Sequence, residues 1–190
     1  ERTEELAPDF DALPRHNLLP DPLPFYDGSP VKTTADWQKR RSEIIGLYEK
    51  YVWGSIPPRP ELTSVEVTDT PGKGYTTRAA VLHFGPDGKA LMHITMIIPD
   101  GKGPFPVLMG PGLIGGFGGN TAGMLLRRGY IAVSYAGNDS NDDSKADGAL
   151  YPKYDFGALP RRAWSASTVV DYLLTVPQVD GKKIAIYGYS

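Results

Sequence analysis

The chemistry this chain could perform is concentrated where Lys182-Lys183-Ile184-Ala185-Ile186-Tyr187 runs into Gly188-Tyr189-Ser190. An apolar, β-branched run of this kind is the pattern of a parallel strand buried on both faces. A strand leading into Gly-x-Ser matches the first half of G-x-S-x-G, a sharp bend that leaves a serine hydroxyl exposed at the rim of a sheet. Such a serine can attack an acyl carbon. A second stretch, Gly110 to Asn120, has six glycines in eleven residues, so its amides can approach an oxyanion or a phosphate closely. It lacks the Lys-Ser/Thr of a phosphate-binding P-loop and is not an orderly GxGxxG unit, which makes nucleotide binding the weaker choice. A third stretch, Asn138 to Gly148, is polar and acidic. Asp139, Asn141 and Asp143 imitate the first half of a calcium loop, but Ser144 replaces its glycine and Leu150 stands where the bidentate Glu belongs. A solvated loop near the site entrance is therefore expected there, with no metal and no cofactor.

The elements that must position these groups follow from periodicity. Residues 1–33 carry Pro8, Pro14, Pro20, Pro22, Pro24 and Pro30. They read as an extended arm over the surface of a domain, with Leu18, Leu19, Leu23, Phe25 and Tyr26 as apolar anchors. Residues 34–60 form a helix and its proline-rich exit. Thr33 and Asp36 supply the capping-box signal, Trp37, Ile44, Leu47, Tyr48 and Tyr51 the apolar stripe, and Gly54 with Pro57-Pro58 the stop. In 61–190 the period changes to two. Strands are expected over 64–69, 76–84 and 91–98, the last two joined as a hairpin through Asp87-Gly88. The rest alternates: strand 105–109, the glycine loop, helix 121–128, strand 130–135, the acidic loop, helix 159–175 and the closing strand. Antiparallel strands followed by βα units predict an α/β fold with a mixed, mostly parallel sheet and helices on both faces. His83 and His93 fall within strands, where packing or surface roles are expected, and Arg161-Arg162 read as structural ion-pair partners.

Composition sets the class. At 41% hydrophobic and 22% charged, the chain reads as a globular protein, and a net charge of −2 gives no reason to expect nucleic acid or an anionic membrane as partner. No apolar run is long enough to span a bilayer. Without cysteine there is no disulfide, thiolate metal site or cysteine nucleophile. The chain opens at Glu1 rather than Met, which fits a leader removed upstream.

Several stretches resemble one family. Trp37-Gln38-Lys39-Arg40-Arg41-Ser42-Glu43 with Tyr51-Val52-Trp53-Gly54-Ser55-Ile56-Pro57 is similar to the leading helix and Gly-x-x-Pro exit of the glucuronoyl esterases, carbohydrate esterases of the α/β-hydrolase superfamily. Gly116-Phe117-Gly118-Gly119-Asn120, Arg162-Ala163-Trp164-Ser165-Ala166-Ser167, Asp171-Tyr172-Leu173 and Val179-Asp180 resemble it too. The resemblance implies an α/β-hydrolase domain that is incomplete at its C-terminus. Ser190 would be the nucleophile, Leu113 and Phe117 candidate oxyanion amides, and Gly116 and Asn120 substrate contacts. The family's acid and histidine follow the nucleophile in chain order, so His16, His83 and His93 are not triad candidates. The expected activity is hydrolysis of a small-molecule or polysaccharide ester, completed by a missing C-terminal segment or second chain, in a secreted or periplasmic protein. A peptidase or thioesterase on the same fold, or a binding domain with a decayed site, is the alternative.

Overall fold

The computed structural model describes residues 10–12, 18–115 and 120–188. The chain divides into two units, Glu1–Leu47 and Tyr48–Ser190.

In the first unit, helix α1 (Thr34–Tyr48) begins at the expected box: the Asp36 amide donates to the Thr33 hydroxyl at 3.1 Å and the Thr33 amide to the Asp36 carboxylate at 3.0 Å. Of the apolar anchors proposed for the arm, Phe25 alone is half-buried. Leu18, Leu19, Leu23 and Tyr26 are exposed. Segment 22–26 is tied to α1 by polar contacts, Arg40 donating to the Pro22 carbonyl at 3.1 Å and the Tyr26 amide to Glu43 at 3.2 Å. Arg40 and Glu43 also pair with each other at 2.9 Å. None of the α1 residues is fully buried: of the expected apolar stripe Trp37 and Ile44 are half-buried, Leu47, Tyr48 and Tyr51 are exposed, and the Tyr48 ring stacks on Trp53 at 4.8 Å between centroids.

In the second unit a π-helical turn, Glu49–Trp53, ends at Gly54, whose φ of 80° only glycine adopts without strain. A side chain at Gly54 would also strike the Asp155 backbone. Ser55 donates to the Asp155 carboxylate from both its amide and its hydroxyl, at 2.7 Å each. The proline exit is thereby docked on a segment a hundred residues later.

Strands β1 (Leu62–Pro71), β2 (Tyr75–Phe84) and β3 (Ala90–Pro99) form an antiparallel meander. In β3 the period-two pattern holds: Met92, Ile94, Met96 and Ile98 are buried and His93 between them is exposed. Asp87 takes φ 55° in the β2–β3 connection, as the Asp-Gly signal predicts. Then come β4 (Phe105–Pro111), α2 (Thr121–Arg127), β5 (Ile131–Tyr135), the short α3 (Asp147–Leu150), α4 (Ala158–Leu173) and β6 (Val179–Ile186). The sheet order is β1-β2-β3-β5-β4-β6. It is mixed as expected, but parallel pairing is confined to β5-β4-β6, and three of the five described pairings are antiparallel. The reason is topological: the meander contributes as many strands as the βα units. Right-handed crossovers that run in opposite directions along the sheet, β4 to β5 and β5 to β6, put α2 and α4 on opposite faces.

Trp164 on α4 organises the core. Its ring packs edge-on to Tyr151, Phe156 and Phe84 at 5.0, 5.7 and 5.9 Å between centroids. Its indole N–H donates to the carbonyls of Pro57 and Pro58, at 3.1 Å each. Val169 and Leu173 complete the buried side of the helix.

Candidate active site

Parallel strands align their carboxyl ends, and three such ends converge here. Met109 is in register with Ile186, and Pro111 with Tyr135, so the chain leaving β4, β5 and β6 emerges at one rim. That rim is where open α/β sheets place their ligands. The Tyr187 amide donates to the Met109 carbonyl at 2.7 Å, which carries β6 on toward Gly188 alongside β4. Gly110 is required by that approach, since a Cβ there would lie 2.6 Å from the Tyr187 carbonyl oxygen. Gly110→Ala must displace one of the two backbones. It is expected to lower stability by about 1–3 kcal/mol in urea unfolding, the range for overpacking a tight contact; an unchanged midpoint would show that the two strand ends are not locked together.

The glycine loop opens at Gly110. Leu113 is buried, and its amide donates to the Gly110 carbonyl at 3.3 Å. That long bond closes a turn through Gly112 (φ 68°) and occupies the amide assigned to an oxyanion, so the role requires it to exchange acceptors. Asn120 is exposed and caps α2 through its backbone, its carbonyl accepting from the Met124 amide at 3.0 Å. Ser190, Phe117 and Gly116 lie outside the described residues.

Sequence reasoning missed Asn138. Its side-chain oxygen accepts from the amides of Ser140 and Asn141, at 3.0 and 2.9 Å, and its amide group faces Gly112 across the rim. An Asn at the start of a polar loop signals a turn and nothing more, so no local pattern could have singled it out. A cavity of about 530 Å³ opens beside it, bounded by Pro111, Tyr135, Arg162, Ile186 and Gly188.

The acidic stretch is only in part the solvated loop expected from composition: Asp139, Ser140, Asn141 and Lys145 are exposed. Ser144 and Asp147 are fully buried. Asp142 binds Ser144 and Arg162, and Arg162 also pairs with Asp139 at 2.9 Å, so the expected structural role of that arginine holds. Burial alone would raise the Asp142 pKa, but hydrogen bonds from Ser144 and Arg162 outweigh it and hold the carboxyl below its ordinary range. Asp143 accepts from the His93 amide at 2.7 Å and lies 3.0 Å from its Nδ1. The carboxylates that imitate a calcium loop are thus engaged with cationic, histidine and amide partners, and no metal-holding cluster occurs among the described residues.

Asp147 behaves differently. One carboxylate oxygen accepts from the Ser165 hydroxyl at 2.5 Å, the other is buried without a described partner, and burial pushes the pKa up to about 6. A group whose pKa is raised on folding contributes stability that is complete below its unfolded value near 3.8 and is lost as pH rises through about 6. A shift of roughly two units corresponds to about 3 kcal/mol. Asp147→Asn is therefore expected to gain up to that much stability at pH 7.5 and to flatten the pH dependence between 4 and 7.5. Parallel stability curves for the two proteins would remove Asp147 as the cause.

Neither described histidine lies on a strand next to β6. His83 on β2 lies 3.1 Å from Glu66. His93 on β3 is three strand spacings from β6, about 14 Å, whereas proton transfer needs about 3 Å.

No family model matches the chain. It is 29% identical over 190 residues to a 4-O-methyl-glucuronoyl methylesterase of Podospora anserina, which covers 93% of this chain and 37% of that protein. It is 30% identical over 173 residues to the corresponding protein of Schizophyllum commune, covering 85% and 40% respectively. Among solved structures, a carbohydrate esterase family 15 glucuronoyl esterase from Caldicellulosiruptor kristjansonii matches with a TM-score of 0.65 at 29% identity, over 93% of this chain and 50% of that one. A promiscuous family 15 esterase from a marine bacterial metagenome shares the fold, with a TM-score of 0.69 at 22% identity, over 96% and 59%. The chain spans well under half the length of these two fungal relatives. By sequence and by fold it is a relative of the glucuronoyl esterases, built on the α/β-hydrolase scaffold.

Proposed function

We propose that Ser190 is the nucleophile of a carboxylic ester hydrolase acting on carbohydrate-linked esters, of glucuronoyl or acetyl type. The observation that carries this reading is the convergence of β6 and the glycine loop at one rim, locked by the contact of Gly110 with Tyr187. Ser190 Oγ attacks the ester carbonyl and passes its proton to a histidine. The same histidine protonates the departing alcohol oxygen as the C–O bond breaks, leaving an acyl-enzyme that water hydrolyses by the reverse proton path. Amides of the 110–120 loop, with Leu113 and Phe117 as candidates, stabilise the oxyanion, and Gly116 and Asn120 contact the substrate. The histidine and the acid come from a C-terminal complement, in the same polypeptide or a second one. The names of the relatives support the substrate class, and a polymer-linked ester fits a site of action outside the cytoplasm. No helix among the described residues is long and apolar enough to cross a membrane.

The test is turnover of p-nitrophenyl acetate and of a methyl glucuronate ester. It compares the 190-residue chain with the same reading frame carried past residue 190. Activity only in the longer product, abolished by Ser190→Ala, is expected; a longer product inert on both esters would sink the proposal.

A further inference from the structure

The carboxamide of Asn138 is committed at one end and free at the other. Its oxygen accepts from the backbone amides of Ser140 and Asn141, at 3.0 and 2.9 Å. Those amides can only donate, so they fix which end of the group is oxygen and turn Nδ2, with its pair of N–H donors, toward Gly112. Among the described residues nothing accepts from Nδ2, although the side chain is half-buried. The loop that carries it is braced. Asn138 and Asn141 exchange backbone hydrogen bonds at 2.9 and 3.2 Å, Gly137 bridges to Asp142, and Arg162 on α4 binds both Asp139 and Asp142. A donor already held in place loses little freedom when a ligand arrives.

The rim cavity of about 530 Å³ is where this donor can act, because Asn138 beyond β5 and Gly188 beyond β6 both bound it. Arg162 and Asp139 are paired with each other there, and the Ser167 hydroxyl donates to the Trp164 carbonyl at 2.6 Å. Leu159, Val170 and Ile186 make much of the remaining wall apolar. In a pocket of that kind a few fixed polar groups set the orientation of whatever binds. The sheet order sets the distance. β4 lies between β5 and β6, and Nδ2 reaches over the end of β4 at Gly112, which is one strand spacing, about 4.8 Å, from the line of β6. The carbonyl carbon of a sugar ester and the hydroxyls of its ring are separated by a distance of the same order.

We propose that Asn138 determines specificity, with Nδ2 donating to a hydroxyl oxygen of the sugar ring in the rim cavity. The inference rests on the ester-hydrolase reading and adds to it the side chain that recognises the sugar.

The test crosses two side chains with two esters in the chain continued past residue 190. Asn138→Ser keeps an oxygen that can accept from the turn amides and removes the Nδ2 donors. The esters are a methyl glucuronate ester and methyl cyclohexanecarboxylate, a six-membered ring without hydroxyls. The expected loss in kcat/KM is about ten- to a hundredfold on the sugar ester, carried mainly by KM, and within about threefold on the other. Equal losses on both esters would make Asn138 a residue that only positions the loop, and no loss on either would make it a turn residue; both results overturn the proposal. Should the serine variant misfold, the native loop is followed instead. In the continued chain carrying Ser190→Ala and labelled with nitrogen-15, the Asn138 side-chain N–H resonances are expected to shift on saturation with the sugar ester and to stay in place with the other. A sugar ester that binds without moving them would overturn the role, as would a chain that binds neither ester. Turnover by the continued chain with Ser190 intact is measured separately: the Asn138 shift without turnover removes acyl transfer and leaves the hydroxyl site, and turnover without the shift does the reverse.

Discussion

Ser190→Ala, in the chain continued through its complement, is expected to lower kcat/KM for a carbohydrate ester by at least about 10⁴-fold. Loss of a nucleophile in a serine hydrolase removes the covalent route altogether, and what remains comes from binding and the oxyanion donors. The reading depends on Ser190 lying at the rim that β6 and the glycine loop share, so the substitution should act on kcat with little change in stability. A loss below tenfold would show that another group attacks the ester. A large loss accompanied by unfolding would instead make the serine a packing residue. Thermal melting of the two proteins separates those cases.

Trp164→Ala is expected to cost about 3–5 kcal/mol in urea unfolding, the range for deleting a large buried aromatic. Three aromatic rings contact the indole edge-on, and each such pair adds roughly 0.5–1.5 kcal/mol beyond the area buried. The indole N–H also ties α4 to the carbonyls of Pro57 and Pro58. Trp164→Phe keeps much of the packing and removes the donor, so its smaller loss of about 1–2 kcal/mol isolates the link to the proline exit. Equal effects of Ala and Phe would mean that the hydrogen bond matters and the ring contacts do not.

What could be read in the sequence, and what could not, follows from the range of the interactions. The β3 alternation of Met92, Ile94, Met96 and Ile98 and the Thr33–Asp36 box are local, and both stand in the structure as expected. The α1 stripe was equally regular, yet it is at most half-buried, because periodicity says which side is apolar and not how closely anything packs on it. The acidic stretch misled for the opposite reason. Its composition implied solvent, but Asp147 is buried through Ser165, eighteen residues on, and Asp143 engages His93, fifty residues back. Asn138 gained its place at the rim only because β4 and β5 are neighbours. At the site itself, the Gly-x-Ser signal pointed to the strand that the sheet order sets beside the glycine loop, whereas the Leu113 amide is already paired within a turn that spacing does not specify.

The sheet order also governs how the chain can assemble. Strands β1, β2 and β3 meet through short turns and can zip together as soon as they are made. β4, synthesised next, has no berth beside β3, because β5 occupies that place. Its place in the sheet is set only through β5, which pairs with it on one side and with β3 on the other. The rim that we assign to chemistry therefore depends on two later strands, β5 to seat β4 in the sheet and β6 to pair on its other side.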